Sequence, residues 1–283
     1  MDKKSIVRKH NDVTEACYNM SVSEMRIILS CVAQINFEQI IDEECPFYIS
    51  AMDYSRLFGV KTNNVYAEMK KAVNDLWNRE ITIKRENEPP LDTRWIQAKA
   101  RYGNGGVEIH FASTVIPYLV KLHENGNYTM YELGNVGGLK SVYGIRLYEL
   151  LVQYKAIGER TIKIKYLREI LCLGAKYKAM KDFKKYIIES AMKEINEQTD
   201  LRISYENIKR GRSIISLHFT IKARRRTEIA PNNPKKYLSA EAINTEFQKP
   251  RFRRVESYQD GFKILKKEGY TLDVNGFLKK YMR

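Results

Sequence analysis

Five lysines crowd the ten residues from Lys176 to Lys185: Lys176, Lys178, Lys181, Lys184 and Lys185. Phe183, Ile187, Ala191 and Ile195 recur at helical spacing, so Lys181, Lys184 and Lys185 fall on the face opposite that apolar stripe. They also cluster in the N-terminal half of the helix, where the helix dipole favours acids. Lysines there point to a polyanionic partner; an ordinary solvated lysine face is the competing reading. Further on, Lys209, Arg210 and Arg212 surround Gly211. At a hairpin tip they can reach phosphates, although a tight polar turn would use the same residues. An earlier stretch repeats the theme with Lys61, Thr62, Asn63, Asn64, Lys70 and Lys71. Asparagine can bond adenine bidentately, but Thr62 or Asn63 serves equally well as a helix N-cap. The second cluster is the more basic near its helix start, so the second is expected to dominate sequence reading.

Other patterns imitate catalytic sites without completing one. Gly134-Asn-Val-Gly-Gly138-Leu-Lys140-Ser141 approaches a phosphate loop, yet a leucine separates the last glycine from the lysine and no apolar strand run precedes it. His10, His110, His123 and His218 never pair at metal-ligand spacing, and no His-x-His occurs to hold a nicking metal. A tyrosine relaxase is therefore disfavoured despite 19 tyrosines. Asp53, Glu80 and the other acids form no carboxylate cluster. The expectation is a protein without catalytic activity, metal or cofactor.

Composition agrees with a binder of polyanions. Lysine and arginine number 49 against 34 acids, a formal net charge of +15 with pI about 9.5. That excess suits nucleic acid or an anionic membrane surface, and is shared by ribosomal and purely electrostatic binders. Hydrophobic residues make up 43% of 283, enough to bury the cores of two ordinary domains. Cys17, Cys31, Cys45 and Cys172 show no CxxC spacing, and the expectation is reduced thiols rather than disulfides or zinc. The opening MDKKSIVRKHND has no apolar signal core and no run is long enough to span a bilayer, so a cytoplasmic protein is expected.

The elements that must position these groups occur twice. Ser21-Val22-Ser-Glu-Met25-Arg26-Ile27 matches Ser141-Val142-Tyr-Gly-Ile145-Arg146-Leu147 at an offset of 120, and Val32 falls on Val152. Ala72, Leu76, Ile81 and Ile83 fall on Ala191, Ile195, Leu201 and Ile203 at offsets of 119 or 120. VEIHF (Val107 to Phe111) resembles ISLHF (Ile215 to Phe219) at an offset of 108. An offset that holds through helices and shrinks only across a hairpin marks a duplicated domain.

Each copy predicts a helix (Met25 to Ile35; Ile145 to Tyr154), with Ser21 and Glu24 at capping-box spacing in the first. A short strand follows (Pro46 to Ile49; Thr161 to Ile164). Next comes a short helix closed by glycine: Asp53 to Phe58 with Gly59, and Tyr166 to Leu173 with Gly174. A longer helix then buries Tyr66, Met69, Val73 and Leu76 in the first copy, and Phe183, Ile187, Ala191 and Ile195 in the second. Paired strands close each copy, Glu80 to Arg85 with Arg94 to Tyr102, and Asp200 to Tyr205 with Ser213 to Ile221. Three helices and a β-hairpin make a winged helix, whose long helix enters a major groove while the hairpin lies along the backbone.

The predicted fold class is thus α+β, mainly α: two tandem winged-helix domains, residues 1–125 and 126–224, and a basic tail, 225–283. Val115 to His123 reads as a further helix between the copies. From Arg224 the last 60 residues carry 15 basic and 7 acidic side chains, a net +8. Pro231, Pro234 and Pro250 interrupt this tail, which reads as poorly ordered alone, with short helices over 258–267 and 275–281.

The run SVYGIRLYELLVQY (Ser141 to Tyr154) resembles the opening of the second domain in theta-type, iteron-binding plasmid replication initiators. FKKYIIESAMKEINEQTDL (Phe183 to Leu201) is similar to the recognition helix of that family, above all in Glu194-Ile-Asn196 and Thr199-Asp200. Lys209-Arg-Gly-Arg212 and Leu217-His-Phe219 resemble its wing. Lys9 to Glu15 and the Met20-to-Ile35 helix extend a looser likeness into the first domain, over residues 5 to 222 in all.

The resemblance implies domains related by pseudo-twofold symmetry. Monomers would bind the iterons through both domains, and dimers formed through the N-terminal domain would bind an inverted repeat and repress the initiator's own gene. It further implies opening of an AT-rich segment and recruitment of the host initiator and helicase, without catalytic activity, cofactor or membrane. Lys178, Lys181, Lys184 and Lys185 would face the groove or its phosphates, and Lys209, Arg210 and Arg212 would make the wing contacts. The alternative is a winged-helix transcriptional repressor with no role in replication. An RNA-binding or structural protein is disfavoured, because duplicated wings suit successive grooves of a duplex.

Overall fold

Ser21 accepts a hydrogen bond from the Glu24 amide (3.2 Å) and Glu24 returns one from the Ser21 amide (2.5 Å), completing the capping box that their spacing predicts. The computed structural model describes residues 2–35, 45–60, 64–85, 87–103, 105–120 and 127–224, with the backbone of 237–238, 270–272 and 278–280. The capped helix, α1, is Val22–Val32, one turn earlier than the apolar pattern suggests. Strand β1 (Ile6–His10) precedes it. β2 (Phe47–Ser50) then leads into α2 (Ala51–Phe58), which Gly59 closes at φ +64°. α3 (Val65–Leu76) buries Val65, Met69, Ala72, Val73 and Leu76 along one stripe. Each of the four larger side chains is worth about 1.5–3 kcal/mol when fully buried, so the stripe holds α3 in place.

The second copy follows the same order. Helix α4 (Val142–Val152) leads to β8 (Glu159–Lys163) and α5 (Ile164–Ile170). The predicted end of α5 at Leu173 lies too far along: the helix stops at Ile170, and Cys172 and Gly174 take positive φ of 48° and 49°. The long helix α6 runs through Met180–Asp182, a π-helical stretch Phe183–Glu189, and Ser190–Gln198.

Position 144, which matches Glu24 of the first copy, is a glycine. Here Ser141 still caps through the Gly144 amide (2.9 Å), but the returning carboxylate comes from α6. Glu194 accepts from the amides of Lys140 (2.8 Å) and Ser141 (3.1 Å). A Cβ on Gly144 would meet that carboxylate at 2.9 Å.

Between the copies lie β3 (Glu80–Ile83), β4 (Leu91–Arg94), β5 (Ile96–Tyr102), β6 (Gly106–Phe111) and β7 (Tyr128–Glu132). Strands β9 (Leu201–Arg210) and β10 (Ser213–Ala223) end the second domain. One sheet has the order β2-β6-β5 and another β8-β10-β9, so the two domains share one topology. The strand predicted from Arg94 to Tyr102 is interrupted at buried Trp95, which separates β4 from β5. The turn around residues 87–92 therefore belongs to an inserted hairpin, β3 with β4. The first wing is β5 with β6, paired from Ile96 with Phe111 to Tyr102 with Gly106. The insertion is why the repeat offset falls from 120 to 108. The helix expected over Val115 to His123 is described only at Pro117–Val120.

Several contacts join the N-terminal segment to the second domain. β1 pairs antiparallel with β7, and buried Lys9 meets buried Glu149 of α4 at 2.6 Å. Arg146, 1% exposed, donates to the carbonyls of Thr14 (2.9 Å), Ala16 (2.6 Å) and Ile170 (3.2 Å) and to the Tyr18 hydroxyl. Cys17 and Cys172 form a disulfide, their Cα atoms 5.6 Å apart, which corrects the expectation of reduced thiols at these two positions. They stand 155 residues apart in sequence, so no local spacing announces the pair. Cys31 and Cys45 are free.

Residues 227–283 form a separate unit. It contains β11 (Tyr237–Leu238), β12 (Tyr270–Leu272) and β13 (Leu278–Lys280), antiparallel in the order β11-β13-β12. β13 replaces the helix predicted over 275–281; a short apolar run does not distinguish the two by periodicity. The helix predicted over 258–267 lies outside the described residues.

Candidate nucleic-acid interface

Helix α6 presents its apolar stripe inward, with Phe183, Ile187, Ile188, Ala191 and Ile195 all buried. Lys181, Lys185, Glu189 and Lys193 are exposed along the outer side. Lys176 and Lys178 are exposed on the approach to the helix. Their loop is held by Arg168, which donates to the carbonyls of Lys176 (2.6 Å), Tyr177 (2.7 Å) and Gly174 (3.3 Å). Tyr177 sits at φ +53°, a left-handed conformation that costs a non-glycine residue about 1–3 kcal/mol and needs such support.

Lys184 differs from its neighbours. It is half-buried, with its ammonium 5.5 Å from the ring centre of Tyr205 on β9. It thus flanks the helix on the wing side. The Tyr205 hydroxyl donates to Glu189 (3.2 Å), and burial, aided by that carboxylate, pushes the phenol up to about 12.

The wing projects beyond its sheet. Arg210 pairs with Ser213 and Lys209 with Ile214, and Gly211 turns the chain at φ +61°. Lys209, Arg210 and Arg212 are exposed at this tip. A bulge at Ile215 shifts the register of β10 below it, and bulges of this kind twist a hairpin out of its sheet.

The first domain offers a weaker counterpart. Asn64 occupies the N-cap of α3 but makes no side-chain cap bond, and it is exposed. Lys61, Thr62 and Asn63 lie outside the described residues. Lys70 rests 4.9 Å from the Tyr66 ring centre, and Lys71 is ion-paired with Asp75 four residues on. The first wing adds groups that the sequence reading passed over: Lys99 and Arg101 of β5, both donating to Asn74 of α3 at 3.2 Å. Partial burial, then Arg101, lowers the Lys99 ammonium from its usual range. Alternation along β5 next to α3 is the signal that could have found them.

His110 and His218 occupy β6 and β10, each the central strand of its sheet. His110 lies 3.1 Å from Glu108, and His218 2.9 Å from Thr161. Among the described residues no group of three histidines, cysteines or acids is placed to hold a metal. No helix among them is long and apolar enough to cross a membrane.

Two reading helices, each beside a wing, are what a double winged-helix DNA binder requires. Residues 6–152 match the family described as Initiator Replication protein, WH1, and residues 163–221 match Initiator Rep protein, WH2. The chain belongs to this family of replication initiators. The initiator is 28% identical over 231 residues to an "uncharacterized 27.6 kDa protein" of Escherichia coli, covering 77% of this chain and 95% of the relative. It is 22% identical over 231 residues to a replication initiation protein of Escherichia coli, covering 79% and 72%. Its fold is similar to that in the crystal structure of Pi initiator protein in complex with iteron DNA. That match has a TM-score of 0.70 and 21% identity, and covers 78% of the initiator and 98% of the solved chain.

Proposed function

We propose that this initiator starts plasmid replication by binding iteron repeats at the origin as a monomer, through both winged helices. It helps to open the adjacent duplex and recruits the host initiator and helicase. As a homodimer formed through residues 1–125 it binds an inverted repeat at its own promoter and represses its gene. Residues 126–224 dominate iteron recognition, and the basic tail, 225–283, adds affinity for the backbone. It acts in the cytoplasm on double-stranded DNA, without catalytic activity, metal, cofactor or membrane.

The observation that carries this reading is the row of exposed lysines on α6 beside the basic tip of β9 and β10, in a chain of this family. Lys176, Lys178, Lys181, Lys184 and Lys185 serve the groove and its phosphates, while Lys209, Arg210 and Arg212 clamp the flanking backbone. Lys61, Asn63, Asn64, Lys70 and Lys71 are the corresponding contacts of the first domain. The family of the chain and the iteron DNA bound by the structurally similar Pi initiator support the choice of DNA.

A plasmid lacking its own initiator, but carrying the upstream repeats, is transformed with and without this gene. Replication only with the gene is the expected result. Repression of the promoter without replication would turn the reading into that of a transcriptional repressor. In gel shifts, site affinity should exceed random-DNA affinity by about 10³-fold or more. Its logarithm should fall with log salt at a slope near −6 or steeper, since roughly seven phosphates are neutralised.

A further inference from the structure

Tyr186 is 52% exposed on the outer half of α6, in company with Lys181, Lys185 and Ser190. At about 100° per residue the buried positions 183, 187, 191 and 195 centre roughly 60° from Phe183, so position 186 falls roughly 120° from that centre, toward solvent, and position 188 roughly 80° from it, at the buried edge. Ile188 is accordingly buried and Tyr186 turned out, within a π-helical turn that runs from Phe183 to Glu189. Such turns interrupt regular helical bonding and occur often at functional sites.

The exposed ring is also held in place. The Lys185 ammonium lies 5.1 Å from its centre, and the Tyr177 ring packs at 6.2 Å. Tyr177 is itself fixed by Arg168 through its carbonyl. This arrangement sits in the N-terminal half of α6, the part of a recognition helix that meets base edges. There the 5-methyl of thymine is the apolar group that a base pair presents in the major groove.

We infer that Tyr186 is a specificity-determining residue, whose ring packs against the 5-methyl group of a thymine in the bound site. The inference rests on the proposed entry of α6 into the major groove. Lys185 holds the ring while reaching the adjacent phosphate or base edge.

The test uses the full-length protein and the duplex site selected by it from a randomised pool. Each thymine is replaced in turn by uracil, which removes only the methyl group. For the wild type, uracil at one position or two adjacent positions should weaken binding about fourfold, the worth of one buried methyl group. Tyr186→Ala should bind the thymine site more weakly by a similar factor and be indifferent to uracil there. Tyr186→Phe should keep the sensitivity. Wild-type indifference to uracil at every position overturns the inference without any variant. So does undiminished uracil sensitivity in Tyr186→Ala, or a Tyr186→Phe variant that behaves as the alanine does, which would assign the contact to the hydroxyl. If Lys181→Ala and Lys185→Ala leave affinity for the selected site unchanged, α6 is not the reader. The parent reading and this inference then fall together.

Discussion

Replacing Arg146 by methionine should unfold the junction between the N-terminal segment and the second domain at a measurable cost. The guanidinium is buried and spends all four of its terminal N–H groups on Thr14, Ala16, Tyr18 and Ile170. Methionine keeps most of the volume, so the loss is one of polar partners rather than of packing. Three carbonyls and a hydroxyl would be left in a dry site, each unsatisfied group costing about 1–3 kcal/mol before relaxation. Glu149, fully buried and 3.9 Å from Arg146, would retain Lys9 (2.6 Å) and the Tyr131 hydroxyl (2.5 Å) but lose its second cation.

Relaxation of the segment from Thr14 to Tyr18 recovers part of that sum. A net loss of about 3–5 kcal/mol is expected, the usual cost of removing one member of a buried charged network. For a unit of this size that lowers the melting temperature by roughly 6–20 °C. Urea denaturation followed by circular dichroism measures the loss, and hydrogen exchange should show the amides of 14–18 opening first. A loss below about 1 kcal/mol with those amides still protected would mean that Arg146 is not the tie that the geometry makes it.

Alanine at Lys181 or Lys185 should change the site selected from a random pool in at least one case, whereas Lys209→Ala and Arg210→Ala should weaken all sequences alike and flatten the salt slope by about one unit each. A wing variant that alters the site while every helix variant preserves it would reverse those assignments. Gly144→Ala should destabilise by about 1–2 kcal/mol, although alanine is the better helix former. The new Cβ meets the Glu194 carboxylate that caps α4, and a neutral or stabilised melt would refute the importance of that cap. Cys17→Ser should lower stability by about 2–4 kcal/mol under non-reducing conditions, and adding reductant should cost the parent the same and the variant nothing; equal melts throughout would exclude the bond.

Much of this protein is written in local patterns. The apolar stripes of α3 and α6, the capping box at Ser21 and Glu24, and Gly59 at a helix end each depend on residues a few positions apart. Duplication of the apolar stripes at a nearly constant offset therefore reveals two winged helices before any fold is known. The basic wing tip is legible for the same reason, since Gly211 and its flanking charges are contiguous.

What tertiary structure alone decided lies between distant segments. Arg26 and Arg146 occupy matching positions of the repeat, yet Arg26 stays partly exposed, donating to the Leu139 carbonyl (3.2 Å), while Arg146 is enclosed by a segment some 130 residues earlier. Cys17 and Cys172 meet only because that same segment packs beside the end of α5. The wing of the first domain was misplaced because turn chemistry at residues 87–92 marks a hairpin without saying which sheet it joins. Tyr186 falls on the outward face of α6 by its spacing alone, but its packing against Tyr177 depends on a loop that Arg168, from another helix, holds in place.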